Sequence, residues 1–399
     1  MNILQVHNKY KILGGEWTVL NQEYELLKKE HSVEQYIVDN NKELSAIGEK
    51  LKLIWQTHYN RTAKLQLFKK LKEGNYDIMH THNFFPLLSP SIFDAARRAG
   101  VPSVLSLHNF RLIHPNGLLY HNGKIDHRSI DGSAYNCVWD GVYRNSKIQT
   151  AVAAHMIEYH RKHKTWQKVP SAFIALSEFS KQMFIDGGIP EERIFIKPNF
   201  IEDPLNNGSG LSIREKKENM FLFVGRISTE KGIQDVIECW IKNNIKAKLV
   251  IAGDGPLRSK LQEKSKANKS IQWLGQISRE EILDKLSVAK AMLFPTRCYE
   301  GQPLIILEAL SMGCPVITSK IGNPQNMIDD EINGLHFKVS DISDMYDKIS
   351  ILYYKNAKRK EMSYNARKSY LLNYTPEKNA EKLMDIYKSA EKLEKELTI

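Results

Sequence analysis

Short apolar runs alternate with helix-sized segments along most of the 399 residues. Most runs are continuously apolar, which is typical of parallel strands covered on both faces. In the first half the predicted strands are Ile3–His7, Gln35–Asp39, Asp77–His80, Ser103–Leu107, Ala172–Leu176 and Ile194–Lys197. In the second half they are Phe221–Val224, Lys248–Ala252, Ile271–Leu274, Ala291–Phe294 and Pro315–Thr318. The pattern predicts an α/β protein with two doubly wound sheets of about five or six strands each.

The alternation lapses once, in a stretch rich in Gly, Asn, Ser and charge that we interpret as an interdomain linker. We therefore predict an N-terminal domain over 1–200, a linker over 201–219 and a C-terminal domain over 220–375. Doubly wound sheets bind ligands at the carboxyl ends of their strands. The expected ligand site is thus a cleft between the two domains.

The last segment, 376–399, predicts an amphipathic helix with Thr375 as N-cap and Pro376 at its first position. Its apolar stripe consists of Ala380, Leu383, Met384, Tyr387, Ala390 and Leu393. Such a stripe needs an apolar surface to cover. Segment 111–150 is the least regular part of the chain, and its pattern predicts no structure.

The net charge of +11 leaves three interpretations open: a solvated surface, a nucleic-acid groove or contact with an anionic membrane. The lysines are scattered singly and in pairs, which favours the solvated surface. Absence of a long apolar run predicts no membrane span and no signal peptide. The four cysteines lie far apart without a CxxC pair, which argues against a zinc site or disulfides and indicates a reducing cytoplasm.

The stretch CYEGQPLIILEAL, residues 298–310, places two glutamates around an apolar run. Pro303 suits the first turn of a helix that would end at Met312, with Gly313 after it. Glu300 would then lie in the preceding loop, and Glu308 would lie inside the helix. On spacing alone, both could equally be surface glutamates of an ordinary amphipathic helix.

The start of this helix offers the chemistry of an anion site. The free amides of Leu304 and Ile305, with the helix dipole, would bind a diphosphate. A ribose attached to that diphosphate would lie near Glu308, whose carboxylate can accept from two hydroxyls. The group beyond the phosphates would lie near Glu300.

A second cluster supports a diphosphate. MFLFVGRISTEKGI, residues 220–233, indicates a buried strand, a loop with Arg226 and Lys231, and a helix from about Gly232. Both cations could reach a diphosphate at the strand ends, although a solvated basic loop is the alternative. LVIAGDGPL (249–257) repeats the strand and Gly-rich turn.

The next unit, IQWLGQIS (271–278), could border a nucleobase with Trp273 and Ile277. Trp273 is alternatively a core residue. We expect Gly253, Gln276 and Ile277 to lie near the base.

The order VGRISTEKGI, IAGDGPL, WLGQIS and PTRCYEGQPLIILEALSMGCPVI resembles the C-terminal domain of family-4 retaining glycosyltransferases of the GT-B fold. The N-terminal half agrees more loosely, through Gly14-Gly15-Glu16, SLHN, ALSEFSKQ and KPNFIEDP. HNFRLIHPNGLLY and CVWDGVYRNS are similar to a subgroup that acts in bacterial surface-polysaccharide assembly. The resemblance implies two Rossmann-like domains facing across a cleft, with the last helix crossing back to the N-terminal domain.

The resemblance also implies roles for individual residues. Arg226, Lys231, Leu304, Ile305 and Gly15 would serve the donor diphosphate, and Glu308 the ribose. Glu300 would face the donor sugar, and His108 would lie beside that sugar near the acceptor. Stabilising charge on the leaving diphosphate is the main electrostatic term in such a reaction.

The chain departs from the family pattern in two places, and a third feature bears on metal use. Asn109 follows His108 where Asp is frequent, which weakens a carboxylate-oriented role for His108. Gln302-Pro303 replaces an aromatic-glycine pair and removes one amide. No Asp-X-Asp occurs, which suits a metal-independent donor site without a cofactor.

His80 and His82 lie at the end of a predicted buried strand, and the sequence leaves two roles open for them. They could border the acceptor site or be hydrogen-bonded residues at the sheet edge. A metal role would need a third ligand nearby.

Together these features predict a retaining glycosyltransferase that uses a UDP- or GDP-linked sugar and a saccharide or lipid-linked acceptor. We expect it in the cytoplasm, with a peripheral membrane position as a further expectation. A sugar-nucleotide epimerase or a phosphorylase of the same fold is the alternative. A dinucleotide-dependent oxidoreductase is less favoured because no G-x-G-x-x-G follows the first strand, and a nucleic-acid-binding protein because no aromatic stripe accompanies the lysines.

Overall fold

The computed structural model describes residues 1–10, 14–40, 54–206 and 210–398. These residues form two compact units. The N-terminal unit comprises Met1–His121, Asp126–Asn199 and Asn379–Ile399, and the C-terminal unit comprises Asn122–Ile125 and Phe200–Lys378.

The N-terminal unit is built on a six-stranded parallel sheet with the order β2-β1-β3-β4-β7-β8. Its strands are β1 Asn2–Lys9, β2 Ser32–Asp39, β3 Ile78–Asn83, β4 Ser103–Ser106, β7 Ala172–Ala175 and β8 Ile194–Ile196. Its helices are α1 Gly15–Leu27, α2 Arg61–Gly74, α3 Ser91–Ala99, α4 Lys147–Lys162 and α5 Glu178–Asp186. All six strands predicted for this half are confirmed.

The segment without predicted structure, 111–150, contains mostly turns. It holds two short strands, β5 Tyr120–His121 and β6 Lys124–Ile125, and a short 3-10 helix, Ala134–Cys137. Its pattern gave no signal because none of these pieces is long enough to show a period.

The last helix, α13 Pro376–Thr398, packs on the N-terminal sheet. Leu383, Tyr387 and Ala390 from the predicted stripe are buried there with strand residues such as Ile3 and Ile174. Burial of apolar area on both partners holds the helix to this sheet. The return of the chain to the N-terminal unit is therefore confirmed.

The C-terminal unit has a second six-stranded parallel sheet with the order β11-β10-β9-β12-β13-β14. Its strands are β9 Met220–Val224, β10 Lys248–Ala252, β11 Ile271–Gly275, β12 Ala291–Phe294, β13 Val316–Ser319 and β14 Gly334–Phe337. Its helices are α6 Ile233–Asn243, α7 Arg258–Ser265, α8 Arg279–Val288, α9 Leu304–Ser311, α10 Gly322–Met327, α11 Ile342–Tyr354 and α12 Asn356–Asn373. The sequence missed β14, because four residues with a Gly and a His show no apolar run.

The helix predicted from Pro303 to Met312 exists, but its ends differ. Pro303 has φ −66° and ψ 114°, so it precedes the helix as N-cap rather than forming its first turn. At the other end of the helix, Gly313 follows Met312 with φ +58°, a left-handed value that favours glycine. Among the described residues, no helix combines the length and apolarity needed to cross a membrane.

Candidate active site

The winding of the C-terminal sheet reverses between β9 and β12. The chain passes from β9 to β10 and β11 on one side, and from β12 to β13 and β14 on the other. Loops diverge at such a reversal and leave a crevice at the carboxyl ends of the two strands. The two loops are residues 225–232 after β9 and 295–303 after β12.

These two loops are bound tightly to each other. Gly232 has φ +68°, and a Cβ added there would lie 1.9 Å from the carbonyl oxygen of Pro295. The amide of Arg297 donates to the carbonyl of Glu230 at 2.8 Å. The Arg297 guanidinium also bonds to Asp235, with Nε and Oδ2 at 2.9 Å. The loop backbone at this crevice is thus fixed by contacts on both sides.

Lys231 and Glu300 meet across the crevice. Lys231 Nζ lies 2.7 Å from Glu300 Oε1, with 27% and 14% of the two side chains exposed. Thr296 Oγ1 donates to the same carboxylate oxygen at 3.0 Å, and Asn323 Nδ2 donates to the Glu300 carbonyl at 3.0 Å. Burial disfavours the charge of Lys231, but the Glu300 carboxylate outweighs it and raises the Lys231 pKa. The pair is therefore charged, firmly placed and reachable from solvent.

The tip of α9 follows directly after Glu300 in the chain. The amides of Leu304 and Ile305 begin the helix, so they have no carbonyl one turn earlier to bond to. Leu304 and Ile305 are half-buried, and the next amide, that of Ile306, is bonded to the Pro303 carbonyl at 3.0 Å. The tip is therefore a possible anion site.

Arg226 lies in the same β9 loop as Lys231. Its side chain is exposed, and the described residues provide no ion pair to it. The structure therefore brings Lys231 to Glu300, whereas the Arg226 guanidinium has no ion-pair partner in the described part of the chain.

Glu308 is largely buried, so it is not a surface glutamate of an ordinary amphipathic helix. Its side chain is 12% exposed and bonds through Oε1 to Nε of Arg279 at 2.7 Å. Burial raises the pKa of Glu308, and Arg279 opposes that rise. Arg279 comes from α8, whose N-cap Ser278 forms a capping box with Glu281. The sequence around Arg279 shows only the start of a helix, so nothing in it predicts the contact with Glu308.

The residues predicted near the base lie on neighbouring loops after β10 and β11. Gly253 has φ +137°, and a Cβ there would be 1.9 Å from the carbonyl oxygen of Gly225. Its amide donates to the Gly275 carbonyl at 2.7 Å. Gln276 is exposed and Ile277 half-buried immediately after β11. Only glycine fits at 253, because the backbone there lies directly against the backbone of Gly225 in the loop after β9.

Trp273 packs against the core of the C-terminal unit, as the alternative interpretation of this residue predicts. Its indole Nε1 donates to Ser265 Oγ at 3.2 Å. That Ile277 borders a base stays a prediction.

In the N-terminal unit, Gly15 is the first residue of α1, which follows the loop after β1. Among the residues that the structure describes, which do not include 11–13, nothing lies within 4 Å of a Cβ placed at Gly15. The neighbouring Glu16 accepts from Asn83 Nδ2 at 3.3 Å. Burial raises the pKa of Glu16 to about 7, and Arg111 opposes that rise.

His108 follows β4 and belongs to a cluster that the sequence showed only in part. Its Nε2 lies 3.1 Å from His82 Nδ1, and His82 Nε2 lies 3.4 Å from Glu23 Oε2. His82 therefore lies between His108 and the Glu23 carboxylate, with one ring nitrogen toward each of them. Burial, with His82 nearby, holds the pKa of His108 well below its usual value.

Glu23 is the centre of this cluster and was missed by the sequence reading. It is ion-paired to Lys197 with Nζ and Oε1 at 2.6 Å, and each side chain is 1% exposed. Burial opposes ionisation of Glu23, but Lys197 and the histidines hold its pKa well below the usual value.

His80, beside this ion pair, is hydrogen-bonded on both nitrogens, to Tyr387 and Ser106 at 2.9 Å each. That geometry fits the interpretation of His80 as a hydrogen-bonded residue, but β3 is an interior strand, so His80 does not lie at the sheet edge. Glu23 does supply a third group within ligand reach of His80 and His82. However, the Lys197 ammonium already neutralises that carboxylate.

A cavity of about 880 Å³ lies elsewhere in the N-terminal unit. Trp55, Tyr59, Arg98 and His163 are among its lining residues, and none of the predicted site residues lines it. Its size alone therefore assigns it no role in the chemistry above.

Both halves of the chain match glycosyltransferase family models. Residues 14–203 match Glycosyltransferase Family 4, and residues 212–369 match Glycosyl transferases group 1. Together the two matches cover most of the chain, which belongs to the glycosyltransferases of these families with the GT-B fold.

Two curated relatives and one solved structure illustrate the similarity. The UDP-Gal:alpha-D-GlcNAc-diphosphoundecaprenol alpha-1,3-galactosyltransferase of Escherichia coli is 26% identical over 81% of this chain and 78% of its own length. An uncharacterized glycosyltransferase of Methanocaldococcus jannaschii is 25% identical over 60% of this chain, and only 64% of that relative is covered. Anabaena HepE, crystallised with UDP and glucose, superposes with a TM-score of 0.66 at 14% identity, covering 96% of this chain and 98% of HepE. The last likeness shows the fold alone.

Proposed function

We propose that this glycosyltransferase moves a sugar from a UDP- or GDP-linked donor to a saccharide or lipid-linked acceptor, with retention of configuration and without a metal in the donor site. One observation carries the proposal: the Lys231–Glu300 pair at the sheet reversal, immediately before the free amides of α9. A cation, an acid and a helix tip at one place suit a diphosphate joined to a hydroxylated ring.

Each group at this place has a separate task. Lys231, Arg226 and the amides of Leu304 and Ile305 bind the diphosphate. In a low-dielectric crevice their interaction with the charge that develops on the leaving group lowers the barrier. A divalent ion is not needed for that task when cations and amides perform it.

The two acids bind the rings on either side of the diphosphate. Glu308 accepts from the ribose hydroxyls with Oε2, because Arg279 occupies Oε1. Glu300 accepts from the sugar hydroxyls and stabilises positive charge at the anomeric carbon. Its position is held by Lys231 and Thr296, so little reorganisation is needed during reaction.

The reaction itself is balanced without a protein nucleophile. The bond between the anomeric carbon and the diphosphate oxygen breaks, and a bond to the acceptor oxygen forms on the same face. The acceptor's proton passes to the departing diphosphate oxygen.

Relatives support a lipid-linked acceptor. The name of the Escherichia coli relative specifies a sugar on diphosphoundecaprenol and a UDP-linked donor. The net charge of +11 would also favour a peripheral position on an anionic bilayer. Sedimentation with anionic liposomes at two salt concentrations tests this position, because a purely electrostatic attachment is lost at high salt.

The direct test of the donor site is calorimetry with UDP and GDP. We expect one nucleotide to bind and the Arg226→Ala and Lys231→Ala variants to bind it about 2 kcal/mol less tightly, roughly 30-fold. Lys260→Ala, at an exposed position of α7, is the matched control and should bind normally. A folded wild-type protein that binds neither nucleotide would overturn the proposal.

An epimerase of the same fold would also bind the nucleotide, and a phosphorylase of that fold would transfer sugar to or from free phosphate. Product analysis separates them, because an epimerase changes the donor without acceptor and a phosphorylase requires free phosphate. We expect neither, and a donor consumed only when a saccharide acceptor is present.

A further inference from the structure

Segment 111–150 contains a buried group of three potential metal ligands, His114, Asp126 and Cys137. Their exposures are 0%, 6% and 0%. His114 Nε2 lies 3.5 Å from Asp126 Oδ2 and 3.8 Å from Cys137 Sγ, and the three ligand atoms lie within 4.8 Å of one another. A zinc ion with bonds of 2.0–2.3 Å separates its tetrahedral ligands by about 3.3–3.8 Å. Small adjustments would therefore bring all three onto one ion.

The hydrogen bonds of Asn116 fix which nitrogen of His114 faces this group. Asn116 Nδ2 donates to the Tyr120 carbonyl at 2.8 Å, and Asn116 Oδ1 accepts from the Leu118 amide at 2.8 Å. His114 Nδ1 lies 2.7 Å from that same Oδ1 and 3.4 Å from the Asn116 amide nitrogen. Its Nε2 therefore faces the Cys137 thiol and the Asp126 carboxylate, at 3.8 and 3.5 Å.

A metal ion here would replace two existing contacts, the Arg128 Nη2 bond to Asp126 Oδ2 at 2.8 Å and the contact of the Cys137 thiol with His114 Nε2 at 3.8 Å. The other ring nitrogen of His114 faces an amide oxygen, an arrangement common among histidines that bind metals. The local charge supports a cation as well. Asp126 and Asp140 bear two negative charges against one guanidinium, that of Arg128.

We propose that His114, Asp126 and Cys137 bind a zinc ion that stabilises segment 111–150. Binding deprotonates the Cys137 thiol, forms a sulfur–zinc bond and releases the proton to solvent. Zinc, thiolate, Asp126, Arg128 and Asp140 then sum to zero charge. Arg128 binds both Asp126 oxygens, with Nε on Oδ1 at 2.9 Å and Nη2 on Oδ2 at 2.8 Å. The metal would replace the Nη2 bond on Oδ2 and leave the Nε bond on Oδ1 in place.

A mixed set of ligands explains why the sequence argued against zinc. Paired cysteines are the usual sequence sign of a zinc site, whereas these ligands are of three residue types separated by turns and two short strands. Thiolate and imidazole together favour zinc over magnesium or calcium. Water would take the fourth position, because the described residues place only three protein ligands together here. The site is independent of the proposed donor chemistry.

The test is the metal content of the purified full chain, measured by mass spectrometry, followed by zinc titration against a competing chelator. We expect one zinc per chain, lost in His114→Ala and Cys137→Ala and retained in Cys239→Ala, which removes a buried thiol of the C-terminal unit. Asn116→Ala should weaken zinc affinity by roughly 10- to 100-fold, as loss of an outer-shell partner does.

Cobalt substitution provides a second measurement that does not depend on the variants folding. A thiolate-to-cobalt absorption band in the wild-type protein supports Cys137 as a ligand. Wild-type protein without stoichiometric zinc after metal supplementation would overturn the proposal. So would cobalt binding without a thiolate band, because that result places the metal elsewhere.

Discussion

Two lysine–glutamate pairs with nearly equal geometry lie in the two units of this protein. Lys197 and Glu23 are 2.6 Å apart with each side chain 1% exposed, whereas Lys231 and Glu300 are 2.7 Å apart with 27% and 14% exposed. The distance is the same, but the surroundings differ. The first pair is sealed among histidines and under the last helix, and the second opens on a crevice at the end of a sheet.

This contrast separates two uses of one interaction. A sealed pair has no access to ligand, so its charges can only act on the protein around it, and losing one partner leaves a buried charge. A half-exposed pair costs less to break and can exchange a protein contact for a ligand contact. Exposure, rather than the distance between the charges, therefore distinguishes the structural pair from the candidate site.

The largest predicted effect is on the sealed pair. Lys197→Met should lower the free energy of unfolding by about 3–5 kcal/mol, because Glu23 is left buried without its cation. Urea denaturation measures this change. The double variant with Glu23→Leu as well should recover most of the loss, and a single-variant cost below about 1 kcal/mol would contradict the structural role.

The second prediction concerns turnover. Glu300→Gln keeps the shape but removes the charge next to the sugar, so transfer should slow by roughly 100- to 1,000-fold, the range for losing one preorganised electrostatic group. Nucleotide affinity should stay within a few-fold, because Glu300 does not touch the phosphates. Loss of UDP or GDP binding with the fold preserved would show that its assigned role is wrong.

Acid should distinguish the two units. Burial, with His82 nearby, lowers the pKa of His7 to about 3, and burial holds those of His80 and His108 well below 6.5. The unfolded chain then binds more protons below pH 6.5, so stability falls as the pH drops toward 5, by about 2 kcal/mol for each such group.

Glu308 has the opposite sign, since burial raises its pKa and acid relieves that cost. Hydrogen exchange followed by mass spectrometry at pH 6.5 and 5, corrected for intrinsic rates, should show lost protection mainly in the N-terminal unit. Equal loss in both units would contradict this difference.

The sequence predicted the parts of this picture that depend on apolar period and on local spacing. Eleven of the twelve strands of the two large sheets followed from apolar runs, and Glu300, Lys231 and Glu308 from their positions around strand ends. Arg279, Thr296 and Asn323 could not be found in this way. They reach the site from separate elements, and only the folded chain brings polar residues of such distant positions together.

The sealed cluster was harder still to predict. Glu23 and Lys197 are 174 positions apart and look like ordinary charged residues of a helix and a strand end. No local pattern distinguishes a buried charge from an exposed one when its partner is that far away. Long-range pairing, rather than residue type, decided their role.

A smaller effect is expected for the half-exposed pair. Lys231→Met should weaken nucleotide binding by about 2 kcal/mol, roughly 30-fold, as loss of a charged hydrogen bond does. Stability should change by less than about 1 kcal/mol, because the pair is partly solvated. Calorimetry measures the affinity and urea denaturation the stability, with Lys260→Met as the control. A stability loss as large as that of Lys197→Met would show that the two ion pairs do not differ as described.

The smallest predicted effect isolates a single amide of the helix tip. Leu304→Pro removes the N–H of the first residue of α9, a position where proline is tolerated. Pro303 already has the extended backbone, with ψ 114°, that a following proline requires. Leu304→Ala removes the same half-buried side chain but keeps the amide, so it is the matched control.

If the amide binds a phosphate oxygen, the proline variant should bind UDP or GDP about 1.5 kcal/mol less tightly than the alanine variant, roughly tenfold, in calorimetry. Both variants should lose similar stability, since both lose the same apolar contacts. Equal affinities for the two folded variants would show that the Leu304 amide takes no part in binding. The ligand would then rely on the Lys231 side of the crevice alone, and the half-exposed pair would differ from the sealed one only in its solvation.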